Sequence, residues 1–265
     1  MKGLLKADFY SLYKSKLTLI LLGICVGLPL ITVFMYLGIK VLIESKILSD
    51  SGMEGLALFT GRTIMFSNFA LSSNVGLFIP IFAGILTVSD IRNGTVRSKV
   101  LLGESRQKIY FSHLTVSTVF CVVMSLVSFA ILTLGSALFF EYGAEWNAEE
   151  VGNFFRCLII GLLAFVYAAS LSVFFSLVTK SMPLTIVLTV LTCIGLGIVS
   201  SLSSLIPDDR FKYLFYLIPT YASTTMASTG MISTEAFWFG LASFLVFIAG
   251  HTVAGIILFK KSDLK

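Results

Sequence analysis

"SDIRNGTVRSKVLLGESRQKIYFSH", residues Ser89 to His113, holds seven charged side chains and separates two long uncharged runs, Thr63 to Ser89 and Leu114 to Phe140. Each run is long enough for a helix to cross ~30 Å of hydrocarbon at ~1.5 Å per residue. A charged island between two such runs reads as a loop joining two membrane crossings.

Outward from this loop lie four further intervals of the same kind: Leu17 to Ile39, Cys157 to Thr179, Ser181 to Pro207 and Ala236 to Phe259. The chain is 57% hydrophobic and 12% charged, with 24 Phe and a mean hydropathy of +0.96, far outside soluble averages. The expected fold is an all-α integral membrane protein with six transmembrane helices, built as one membrane domain over residues 1–265. Pro29 and Pro80 fall inside the first two spans, where neighbouring helices tolerate a kink. The first span is too long for a signal-peptide core, and no small-residue cleavage pattern follows it. Cys25, Cys121, Cys157 and Cys193 lie in or beside apolar intervals without CxxC spacing. They read as small core residues and not as disulfides or metal ligands.

A seventh uncharged interval, Tyr213 to Thr234, contains eight Ser or Thr among 22 residues and is interrupted by Pro219 and Gly230. It reads as a half-inserted, re-entrant extracellular element before span 6 and not as a crossing, because irregular backbone survives at membrane depth only under cover of protein or water. Six crossings then place both termini, the opening loop and Lys180 on one side. That side carries 13 of the 19 Lys and Arg but only 4 of the 14 acids, which makes it the cytoplasmic one. The plasma membrane, of a bacterium, is the expected location. The basic excess is explained by topology, and no nucleic-acid partner is expected.

Ahead of the first span, residues 1–16 set Leu5, Phe9, Leu12 and Tyr13 on one helical face. This fits an amphipathic interfacial helix lying on the inner membrane surface, or a basic topology signal with no further role.

The sequence lacks the parts that several activities need. No Gly-Lys dipeptide exists to anchor a phosphate loop, and no GxSxG or HExxH motif supports hydrolysis, so the chain is not expected to be an enzyme. His251 is the one ionisable group, cysteines aside, well inside a span. It is either a functional group or a neutral imidazole bonded to a neighbouring helix. No acidic or basic residue stands at mid-membrane to bind a coupling ion, which weighs against a secondary transporter. Gly23 and Gly27 form a GxxxG in the first span, and Ser200 with Ser204 a small-xxx-small pair in the fifth; either pair suits a subunit interface or packing within one subunit.

In the opening loop, Val100, Leu101 and Leu102 form an apolar tip flanked by Arg97, Lys99, Glu104 and Arg106. A short helix of this kind inserts into a groove of a soluble partner while its charges set orientation; the alternative is an ordinary basic loop. The spacing resembles the loop between the second and third spans of ABC-2 type permeases, the membrane subunits of a class of ABC transporters. In that family an acid precedes a Gly-Thr pair by four residues, and a leucine-rich turn, a proline, an arginine three further on and often a lysine follow. Here Asp90, Gly94, Thr95, Leu101, Leu102 and Arg106 stand in those places, while Gly103 replaces the proline and His113 the lysine.

The resemblance implies that this loop is a cytoplasmic coupling helix, Asp90 to Arg106, on which a separate ABC ATP-binding subunit docks. Two copies of that subunit would carry ATP and Mg, and a second permease subunit would complete a homodimer or heterodimer in the lipid bilayer. The family's pathway is lined by its first, second and fifth spans, which makes Ser72, Ser73, Asn74, Thr185, Thr189 and Thr192 candidate lining groups, each with an interhelical hydrogen bond as the alternative. Gly23, Gly27, Ser200 and Ser204 become candidate dimer contacts. Compact permeases of this family are associated with export of peptide or hydrophobic antimicrobial or toxin compounds. The runner-up functions are a non-transporting sensory or scaffold membrane protein and a secondary transporter.

Overall fold

A computed structural model describes residues 2–44, 60–205 and 209–261, and all regular structure among them is helical. The helices are α1 (Lys2–Lys14), α2 (Lys16–Glu44), α3 (Gly61–Phe66), α4 (Asn74–Arg92), α5 (Thr95–Leu101), α6 (Arg106–Phe139), α7 (Ala148–Thr179), α8 (Met182–Ser201), α9 (Asp209–Tyr216), α10 (Tyr221–Thr229) and α11 (Thr234–Lys261). Six segments are long and apolar enough to cross a membrane: Lys16–Leu42, Gly61–Arg92, α6, α7, α8 and α11. The last two residues of the fifth interval, 206–207, with residue 208 after them and the tail beyond Lys261, lie outside the described residues.

α7 is the centre of the bundle and packs against α4, α6, α8 and α11. Its burial has a compositional cause. Gly161, Ala164, Ala168 and Ala169 let neighbours approach closely, as small residues do between apolar helices. A Cβ at Gly161 would overlap the Phe69 ring, and Phe69 itself joins Phe66, Phe129 and Phe165 in an aromatic cluster.

The helix ends follow their capping residues. Ser105 and Asn147 accept from the third backbone amide beyond them, Lys108 at 3.4 Å and Glu150 at 2.9 Å, and so start α6 and α7. Pro29 sits within α2. It has no N–H to give to the Cys25 carbonyl one turn earlier, and Ser128 of α6 donates to that carbonyl instead at 3.1 Å.

The second interval keeps one candidate crossing, Gly61–Arg92, but its helix is not continuous. It is broken: α3 leads into a 3₁₀ turn, Ser67–Phe69, and Ala70 is extended (φ −67°, ψ 125°). Ser73 then caps α4, accepting from Gly76 N at 3.1 Å. Ser72, Ser73 and Asn74 compete with the backbone for its hydrogen bonds and favour a cap over a helix interior. The Ala70 carbonyl also folds back so close to Gly76 that no side chain fits there. The interval Tyr213 to Thr234, by contrast, holds no helix long enough to cross. It contains the end of α9, a turn through Pro219 and α10, and at eight and nine residues neither helix is long enough to span.

Candidate functional site

The end of the bundle that holds α1, α5 and the turn at Lys180 is called here the basic end. α5 is bounded by two glycines in the left-handed region, Gly94 at φ 73° and Gly103 at φ 88°. Gly103 N donates to Val100 O at 3.0 Å and Glu104 N to Lys99 O at 3.2 Å, the paired bonds of a Schellman stop. Proline is locked near φ −65° and cannot occupy this position. Gly103 therefore suits this left-handed turn, which proline could not make.

α5 is held from beneath by a buried ion pair. Asp8 of α1 and Lys99 of α5 are 6% and 8% exposed; Lys99 Nζ donates to Asp8 Oδ1 at 2.5 Å, and Ser112 Oγ of α6 donates to Asp8 Oδ2 at 2.6 Å. Leu4, Val96, Ile109, Tyr110 and Phe259 form the apolar cluster beside it. Arg106 donates to the Phe259 and Lys260 carbonyls at 3.1 and 2.8 Å, closing the last turn of α11. α1, α5, α6 and α11 are thus joined at one end by buried contacts.

The expected docking residues divide into two groups. Leu101 and Leu102 are 79% and 84% exposed, with Arg97 exposed beside them. Lys99 and Arg106 do not flank this tip: Lys99 points into the protein and Arg106 serves α11. Val100 packs against the apolar cluster, and Glu104 pairs with Lys108 at 3.4 Å. Asp90 faces His113 Nδ1 at 3.7 Å inside the bundle end. Gly94 and Thr95 form the corner between α4 and α5.

On α1 the inward positions are Leu4 and Asp8, with Leu12 packed against the main core, while Phe9, Tyr10 and Tyr13 are exposed. The apolar face read from Leu5, Phe9, Leu12 and Tyr13 is therefore rotated from the face that packs inward. The signal overlooked is Asp8, the one acid in the first 43 residues, set one turn from both Leu4 and Leu12.

The candidate lining residues gather at the contact between α4 and α8. Ser72 lies against Gly197, and Thr185 against Gly84. Thr185 shares a 2.9 Å hydrogen bond with Thr179, and Ser73 is the α4 cap. Thr192 donates to Leu188 of its own helix. Asn74 is exposed at the start of α4. Thr189 is buried, and its Oγ1 has no partner among the described residues.

The candidate interface residues also separate. A Cβ at Gly23 or Gly27 would meet nothing within 4 Å, so that face of α2 is open. Ser200 points inward and shares a 2.9 Å hydrogen bond with Thr220, which removes it from the outer surface; the Ser204 side chain lies outside the described residues. His251 packs on the Tyr167 and Phe174 rings, and its Nδ1 is 3.3 Å from Ser170 Oγ of α7.

At the opposite end, Arg62 and Tyr142 converge on Glu150, at 3.2 and 2.8 Å. Burial and the hydrogen bond to this carboxylate push the Tyr142 hydroxyl above its usual range. Asn153 donates to Gly230 O and accepts from Ile232 N, both at 3.1 Å, tying the segment after α10 to α7.

These features define a class: an all-helical, multi-pass membrane protein with a short anchored helix between its second and third apolar segments. Residues 32–265 match DUF2705, a family described as a protein of unknown function, and the chain belongs to that family. A search of curated proteins finds no match.

Proposed function

We propose that this protein is the membrane subunit of an ATP-driven ABC-2 type transporter and that α5 is its coupling helix. One observation carries the assignment: Leu101 and Leu102 stand almost fully exposed at the end of a helix whose other face is buried. An apolar tip held on a rigid mount is suited to a groove in a soluble partner. The partner is an ABC ATP-binding subunit, present in two copies and holding ATP and Mg; this chain binds neither.

In this arrangement the basic end is cytoplasmic and the membrane is a bacterial plasma membrane. α1 lies at the inner interface with Phe9, Tyr10 and Tyr13 toward lipid headgroups, while α9 and α10 form the outer re-entrant element. A second permease subunit, identical or related, packs on the open Gly23 and Gly27 face of α2. The cargo is a peptide or a hydrophobic antimicrobial or toxin compound, suited to spans without strong charge.

The test is copurification of a soluble ATPase encoded with this chain, followed by its ATP turnover with and without candidate cargo. Cargo-stimulated turnover supports the transporter. Stable association without stimulation favours a sensory or scaffold role, and no association removes the assignment.

A further inference from the structure

A cavity of about 460 Å³ lies at the basic end between the corner of α1 and α2 and the ends of α4 and α6. Asp90, Asn93 and His113 line it from α4, its C-terminal cap and α6, and Ser11 and Lys14 line it from α1. Leu17, Leu86 and Val116 continue its lining onto the spanning helices. The cavity therefore joins a charged end to the start of the apolar spans, the depth at which lipid headgroups lie.

Its polar groups are incompletely used. His113 is 4% exposed, and its Nε2 has no partner among the described residues. Asp90 makes no hydrogen bond among them, since His113 Nδ1 at 3.7 Å is beyond that range. Asn93 gives its amide nitrogen to Ser89 Oγ at 3.3 Å, which leaves its oxygen as a further acceptor. Of these only His113 is buried; Asp90 is partly exposed and Asn93 exposed, so both are open to a ligand. What they lack is a compact donor.

The charges narrow the ligand further. Asp8 also borders the cavity but is already answered by Lys99. Asp90, which also feels Lys99, and Lys14, whose ammonium lies 4.8 Å from the centre of the Tyr10 ring, are then the carboxylate and the ammonium left at the cavity. That balance fits a zwitterion better than an anion. A primary ammonium brings three N–H donors to the carboxylate and amide oxygens, whereas a quaternary ammonium brings none.

We propose that this cavity binds the headgroup of an aminoethyl phospholipid, phosphatidylethanolamine, with its ammonium at Asp90 and Asn93 and its phosphate at Lys14 and Ser11. The site depends on the membrane placement of the six apolar segments but not on ATPase docking, so either assignment can fail without the other.

The experiment is native mass spectrometry of the full chain exchanged with vesicles of equal phosphatidylethanolamine, phosphatidylcholine and phosphatidylglycerol. One phosphatidylethanolamine is expected to be retained about tenfold over the other two, the weight of one charge-assisted hydrogen bond. Asp90→Asn should abolish this preference. Lys14→Gln, at an exposed position that does not threaten folding, should weaken retention of all three lipids, because all three carry the phosphate. Equal retention of all three lipids by the unaltered chain, a preference for phosphatidylglycerol, or unchanged retention in Lys14→Gln overturns the proposal. Capture of soluble phosphoethanolamine by protein that retains no lipid overturns the assignment to a membrane lipid.

Discussion

Replacing Asp8 with Asn tests whether the anchored helix owes its position to the ion pair beneath it. The substitution keeps the shape of the side chain but takes from the buried Lys99 ammonium its hydrogen-bonded counter-charge, leaving only the more distant Asp90, and Ser112 loses a carboxylate acceptor. Breaking a buried pair from one side costs about 3 to 5 kcal/mol. At roughly 2 to 4 °C per kcal/mol for a chain of this size, the apparent unfolding midpoint in detergent should fall by about 10 °C. Lys99→Met alone should be similarly damaging, because it strands the carboxylate. The double change Asp8→Asn with Lys99→Met removes both charges and should recover most of the loss, since apolar replacement of a whole buried pair is often near neutral. The coupling from this double-mutant cycle should reach about 2 kcal/mol or more, toward the upper end for residues in contact. Additive single effects, or an Asp8→Asn midpoint within about 2 °C of the unaltered protein, would refute the account of Asp8 as an anchor.

The remaining predictions concern the tip, the topology and the intramembrane histidine. Leu101→Glu with Leu102→Glu should leave the unfolding midpoint unchanged, because both side chains are already exposed, but should abolish copurification of the proposed ATPase. Each leucine buried in a groove contributes about 2 to 3 kcal/mol, and full retention of the ATPase would disqualify the tip. Single cysteines in place of Arg97 and Glu149, in a chain otherwise free of cysteine, should label with an impermeant reagent from the cytoplasmic and outer sides respectively. Labelling of both from one side would overturn the six-crossing orientation. His251→Ala should leave the proposed transport intact, since its ring packs on Tyr167 and Phe174 beside Ser170. Loss of cargo-stimulated turnover in a correctly assembled variant would show that the imidazole takes part.

The sequence by itself determined what depends on length and local composition. Six apolar runs announce six candidate crossings because a membrane crossing requires about 20 consecutive apolar residues whatever their neighbours are. The charged island between two of them marked the place of α5, whose ends at Gly94 and Gly103 only the folded backbone fixed. Tertiary structure decided which side chains of that island face out. Lys99 looks like a rim charge until Asp8, 91 residues earlier, is placed beneath it, and no local period encodes that partnership. The break before Asn74 was half legible in its Ser-Ser-Asn run, but the close return of Ala70 onto Gly76 became visible only once the chain had folded back. Ser200 was moved from a supposed interface to the interior by Thr220, and the open face at Gly23 and Gly27 was left by the absence of any described side chain packed there. Helix formation follows from nearby residues, whereas the burial of a charge depends on a partner that only packing brings within reach.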